Sequence, residues 1–231
     1  MINLNLFISR FQTYGRLDYA GDFEGFWKWK IKVETGNKHI LDDNHVTETY
    51  HRLCGILPKW LTYRGAVGIK WKKVLEDSLA RISDAYDQIR GYNLLQFSEV
   101  PNGPLKLIWH ELGRVKEENG LANQGGWYYV VAVTKPLMFL WGQTLAFDSF
   151  VRTYGPRICN IPQRTRWHFE EWWNVMKSFQ EGLQQQAEDI GLFIEVAREK
   201  FQNDCIVPYG HFLDLYYWVE GKERQQLFPV V

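Results

Sequence analysis

The stretch 127-WYYVVAVTKPLMFLWG-142 constrains this chain more than any other. It is apolar on nearly every face of a helix, and Lys135 is its single formal charge. A helix of that kind has no side to present to water, so it has to be enclosed. It is also too short to cross a bilayer, which takes about 18 or more consecutive apolar residues. What remains is a central buried segment with the rest of the chain packed around it.

The flanking sequence supplies amphipathic helices for that packing. Over 69-IKWKKVLEDSLARISDAYDQIRG-91, the residues Trp71, Val74, Leu75, Leu79, Ile82, Ala85, Tyr86 and Ile89 form one stripe, and Gly91 supplies a stop. A second helix is expected over 45-HVTETYHRLCGILPKWL-61 with Asn44 as its cap, and a third from Pro104 through 104-PLKLIWHELGRVKEENG-120. Residues 163–201 are helical in propensity and should divide near Gly182 or at 188-EDIG-191, because about forty unbroken helical residues would be unusual in a globular domain. A last helix begins near Pro208. Only 26-FWKWKIKV-33 departs from this pattern. Its period-two alternation suits either a strand or an irregular segment laying Trp27 and Trp29 on the core. A strand there would lack partners, so the expected class is all-α. The 231 residues suit one compact helical domain, with 41–125 and 126–231 as candidate lobes around the central apolar segment and 1–40 packed on one of them.

Composition narrows the function. Formal net charge is zero, so no global positive field draws nucleic acid to the surface, and any phosphate binding needs a local cluster of Lys and Arg. Cys54, Cys159 and Cys205 are scattered and odd in number, and no CxxC spacing or His/Cys pair among them suggests a metal, which points to reduced structural thiols; no metal and no cofactor are expected. The pair His110-Glu111 lacks the second histidine of a zinc helix, since position 114 is Arg. The opening MINLNLFISRF has no basic region followed by an apolar run, so a cytoplasmic protein with no membrane partner is expected. P-loop, dinucleotide-glycine, GxSxG and EF-hand patterns are absent, which disfavours phosphoryl transfer, hydride transfer and serine hydrolysis by those routes.

The chemistry-bearing segment is 131-VAVTKPLMFLWGQTLAFDSFVRTYG-155. Thr134 can cap a helix whose first residue is Pro136, which places Lys135 near that helix's N-terminus. Gly142 ends the helix, and Asp148 stands at the head of a second one carrying Ser149 and Arg152. The order of lysine, apolar helix, Gly-Gln, apolar pair, Asp-Ser and Val-Arg resembles the core of the helix-hairpin-helix DNA glycosylases, over about residues 131–155. The family's glycine-x-glycine hairpin reads 132-AVT-134 here.

That resemblance implies a glycosylase-like helical fold and excision of a damaged or modified DNA base. Asp148 matches the catalytic aspartate, and Lys135 matches the Schiff-base lysine of members that also cut the strand. A flipped base would stack on Trp127, Tyr128 or Trp141, with His110, His211 and Asp214 lining the pocket. His211 and Asp214 are three apart and would share a helix face, able to position a water or bond a base edge. Thr134, Gly142, Ser149, Arg152, Arg157, Arg164 and Arg166 are the expected contacts to the DNA backbone. Two other readings stand beside this one. Asp148 can be an ordinary helix cap, and the protein can be a non-catalytic helical module that binds modified nucleic acid or a protein partner.

Overall fold

The computed structural model describes residues 18–63, 70–117, 125–154, 161–185, 187–201 and 206–227. Within them the chain is mostly helical, with one two-stranded sheet. The helices are α1 (Asp18–Val33), α2 (Val46–Ile56), α3 (Lys70–Arg81), α4 (Ser83–Ile89), α5 (Asn102–Arg114), α6 (Val130–Trp141), α7 (Ser149–Tyr154), α8 (Phe169–Gln184), α9 (Ala187–Phe201) and α10 (Tyr209–Leu227). A 3-10 turn, Leu94–Glu99, separates α4 from α5. The strands β1 (Tyr128–Tyr129) and β2 (Arg166–Trp167) pair antiparallel, Tyr128 opposite Trp167 and Tyr129 opposite Arg166. They were not legible in the sequence, being two residues each.

Helix α6 is the centre. Every residue from Ala132 to Trp141 is buried, and α1, α5 and the sheet pack on it. Its environment is apolar nearly throughout, so its all-round hydrophobicity is matched by its surroundings. Helix α5 comes so close that a Cβ on Gly113 would collide with the Tyr128 ring. The buried apolar residues of α1 through α10 form one continuous cluster.

Two local expectations are overturned. Residues 26–33 are not a strand but the end of α1, because Phe23, Phe26, Trp27 and Lys30 recur at the three- and four-residue intervals of a helix face. The buried Lys30 is tolerated because its ammonium pairs with Glu34 and lies 4.6 Å from the Trp27 ring centre. The cap of α2 is not Asn44 either. Asp42 is the residue that gathers amides there, its Oδ1 accepting from both Asn44 N and His45 N at 3.0 Å.

The 69–91 stripe divides into α3 and α4 at Ile82, and 163–201 divides between Gln184 and Ala187, close to the expected break. No helix among the described residues is long and apolar enough to cross a membrane.

Candidate active site

Between α6 and α7 the chain makes a turn that is unusually well held. Gly142 ends α6 in the left-handed region at φ 76°, as its position in the sequence predicts, and its N–H closes onto Met138 O at 2.8 Å. Gln143, Thr144, Leu145, Ala146 and Phe147 follow, all fully buried. A buried loop has to find partners for its polar groups inside the protein. Gln143 accepts from Leu94 N at 2.9 Å through Oε1 and donates to Val207 O at 3.0 Å. The Thr144 hydroxyl accepts from the Trp172 indole N–H at 3.2 Å. His211 N donates to Gly142 O, and a Cβ on Gly210 would collide with the Gln143–Thr144 peptide.

Ala146 is gripped from both sides. Its N–H donates to Asp214 Oδ1 at 2.6 Å, and its carbonyl lies 2.7 Å from the Thr134 hydroxyl, which also reaches Val130 O at 2.8 Å. Phe147 then adopts φ 49°, a left-handed conformation that costs a non-glycine residue about 1–2 kcal/mol. Packing against Trp167 and Phe179 holds it there. The next residue is Asp148, partly exposed, whose Oδ1 accepts from Val151 N at 3.0 Å and caps α7.

Lys135 lies in the fields of Asp148 and Asp214. It is 8 % exposed, and its ammonium donates to Trp60 O at 2.5 Å, with the Trp60 ring centre 5.7 Å away. Burial pushes its pKa down, while the fields of Asp148 and Asp214 push it back up. Asp214, on α10, is wholly buried. Desolvation and the neighbouring Asp148 raise it to about 8, against the Ala146 hydrogen bond and Lys135, which favour its charged form. One amine and two carboxyl groups thus share an electrostatic neighbourhood. With its pKa raised to about 8, Asp214 is mostly protonated at neutral pH. Lys135 and Asp148 were expected together from sequence; the third member comes from α10, with Ala146 and Trp60 as backbone partners that no sequence signal marks.

Several expected roles do not survive the geometry. The hairpin is replaced by continuous helix: α6 begins at Val130, Pro136 lies inside it, and Thr134 and Lys135 are interior residues rather than a cap and an N-terminal cation. The helix runs through although Pro136 loses the N–H that would meet Ala132 O and sets its ring against that carbonyl, because burial on every side holds the remaining turns. Thr134 and Gly142 are buried and cannot meet a phosphate. Tyr128 and Trp141 are sealed in the core, Trp141 with its indole N–H on Tyr92 O at 3.0 Å, so neither offers a stacking face. Trp127 alone of the three is exposed, edge-on to His168 and under Arg164.

His211 and Asp214 do not act as a pair. The His211 ring stacks on Phe23 at 3.5 Å, its Nδ1 finds no partner, and burial depresses its pKa to about 3. His110 is half-buried beside Tyr128, its pKa lowered by burial and by Lys106 and His168.

The arginines are engaged within the protein. Arg152 donates to Gln163 O at 2.6 Å, Arg164 pairs with Glu171, and Arg166 pairs with Glu117 at 3.1 Å while donating to Trp127 O at 3.0 Å. Ser149 is exposed at the start of α7. Arg157 lies outside the described residues, as do Cys159 and Cys205; Cys54 is a half-buried free thiol. Among the described residues, no group of three or more His, Cys, Asp and Glu is placed to hold a metal ion.

Fold and site together define a helical protein in which one lysine and two carboxyl groups interact electrostatically, with one of the acids bonded to a buried, pinned loop. No protein-family model, curated protein or solved structure matches the chain.

Proposed function

We propose that the Lys135–Asp148–Asp214 centre cleaves N-glycosidic bonds in DNA, releasing a damaged or modified base. The observation that carries this reading is the delivery of Asp148, beside a buried amine, by a loop that holds Phe147 in a strained conformation. Strain of this kind persists only where the surroundings over-determine it, and it gathers at functional sites.

The chemistry fits the residues. The base departs with the electrons of its bond to C1′ and takes up a proton, leaving positive charge on the sugar. A fixed carboxylate such as Asp148 stabilises that charge. Water then completes hydrolysis. Alternatively the neutral Lys135 amine bonds to C1′, its proton passing to the departing base, and ring opening gives the Schiff base of a strand-cutting enzyme. Burial favours the neutral amine that this second route needs.

The test uses duplex oligonucleotides, each carrying one modified base. Wild-type protein is expected to release base from at least one of them, and Asp148→Asn to abolish release. Borohydride trapping separates the routes, since an adduct that forms and survives Lys135→Ala removes Lys135 from the chemistry. Release that is unchanged in Asp148→Asn defeats the mechanism.

A second reading is favoured by a separate observation. The burial of Tyr128 and Trp141 and the internal pairing of Arg164 and Arg166 suit a non-catalytic helical module, in which Asp148 is a cap and Lys135 a structural donor. That reading predicts saturable ligand binding with no abasic product, and tolerance of Asp148→Asn.

A further inference from the structure

We infer that Asp214 is the positioning residue of this site: through the Ala146 amide it holds the loop that presents Asp148 to the Lys135 amine. The inference rests on the functional reading above and adds to it a residue that acts through two others.

The geometry is specific. Helix α10 lies along α7, the helix that Asp148 caps. Asp214 is 5 % exposed, and a buried carboxyl group is retained only where it is partnered. Its partner is Ala146 N at 2.6 Å, two residues before Asp148 and directly before the strained Phe147. The Thr134 hydroxyl on α6 holds the other side of the same residue. Helices α6 and α10 therefore grip Ala146 between them, and releasing one grip lets Phe147 relax toward an unstrained backbone and carry Asp148 away from Lys135.

The charge relation is equally local. The ionisable groups in whose fields Asp214 lies are Lys135 on α6 and Asp148 at the head of α7; on its own helix, His211 is kept neutral by burial. When Asp214 is ionised it favours the Lys135 ammonium, and when it is protonated it leaves the amine freer to lose its proton. The carbonyl oxygen of a neutral acid still accepts the Ala146 N–H, so the hold on the loop and the control of charge are separable by substitution.

Asp214→Asn keeps an acceptor facing Ala146 and deletes the titrating group, whereas Asp214→Leu deletes both on the same branched skeleton. In the 15N-labelled full chain, the Ala146 amide is expected to exchange with solvent at the wild-type rate in Asp214→Asn and about tenfold faster or more in Asp214→Leu. The Lys135 amine, followed by the chemical shift of its Cε in the 13C-labelled full chain against pH, is expected to titrate about half a pH unit or more lower in Asp214→Asn, because it loses a carboxylate that favours the ammonium. Equal Ala146 exchange in both variants overturns the inference, and so does an unmoved Lys135 midpoint in Asp214→Asn. If Asp214→Leu does not fold, the Lys135 midpoint in Asp214→Asn decides alone. Neither measurement uses DNA, so a wild-type protein that releases no base refutes the glycosylase reading while these outcomes still decide the role of Asp214.

Discussion

Asp214 ties the protonation of one residue to the stability of the fold. Its folded pKa of about 8 stands above the ordinary 3.8. Between those values the folded chain holds a proton that the unfolded chain has lost. The stability it contributes is therefore complete below about pH 4 and is lost as pH rises through the folded pKa, with a slope of at most about 1.4 kcal/mol per pH unit. Lys135, with its pKa lowered, has the opposite sign and acts between its folded pKa and the ordinary 10.5. His211, depressed to about 3, contributes the opposite slope up to about pH 6.5 in both proteins, so the assignment is read from their difference: in urea unfolding between pH 5 and 8, wild-type stability is expected to fall with pH relative to that of Asp214→Asn, and equal slopes would refute it. Asp148 calls for a different separation. Removing its cap in Asp148→Ala should cost about 1 kcal/mol by denaturant unfolding, while Asp148→Asn, which keeps an acceptor for Val151 N, should cost much less. A catalytic loss in Asp148→Asn then cannot be assigned to unfolding. Lys135 and Asp148 were legible in the sequence because a short run of residues joins them. Asp214 was legible only as half of a pair with His211 on one helix face, since its actual partner Ala146 is 68 positions away. The left-handed Phe147 was invisible, because an aromatic residue is among the last expected at positive φ.

At the scale of elements, the approach of α10 to the loop depends on Gly210. A methyl group there would meet the Gln143–Thr144 peptide, which is backbone and cannot swing aside. Gly210→Ala is therefore expected to destabilise the fold by about 1–3 kcal/mol through overpacking. It should also raise the exchange rate of the loop amides more than that of the α3 amides. Wild-type stability in thermal unfolding, with unchanged exchange at the loop, would show that this contact is slack. The helices themselves were the readable part of the fold. Amphipathic stripes such as that of α3 and α4 follow from local spacing, and α6 announced itself by having no polar face. Errors arose where two local rules competed. Over residues 26–33 the alternation of aromatic and basic residues masked a helical face whose buried Lys30 is satisfied by Glu34 and Trp27. At Thr134-Lys135-Pro136 a good helix-start pattern was overridden by burial that carries the helix straight through it.

At the scale of the molecule, zero net charge coincides with basic side chains that are matched one by one near the only exposed aromatic of the expected pocket. Arg164 lies over Trp127 and pairs with Glu171, Arg166 pairs with Glu117, and Lys106 pairs with Glu170 at 2.7 Å, holding that acid down at about 2. The Arg164–Glu171 and Lys106–Glu170 pairs are largely exposed and contribute at most about 1 kcal/mol to stability; Arg166–Glu117 is partly buried, and glutamine at 117 keeps an acceptor for it, so the fold should survive loss of the acidic charges. Their effect on DNA binding should be larger. Each arginine freed to reach a phosphate releases a condensed counterion, which steepens the slope of log affinity against log salt by about 0.9. The double variant Glu117→Gln/Glu171→Gln is therefore expected to bind labelled duplex DNA more tightly than wild type, with a salt slope steeper by up to about 2 and the largest gain at low salt. Fluorescence anisotropy across a salt series measures both quantities. If Arg164 and Arg166 face the path of the duplex, affinity and slope rise together. An affinity and slope indistinguishable from wild type would mean that the Trp127 face does not meet the phosphate backbone, and would shift weight from the glycosylase reading to the non-catalytic one.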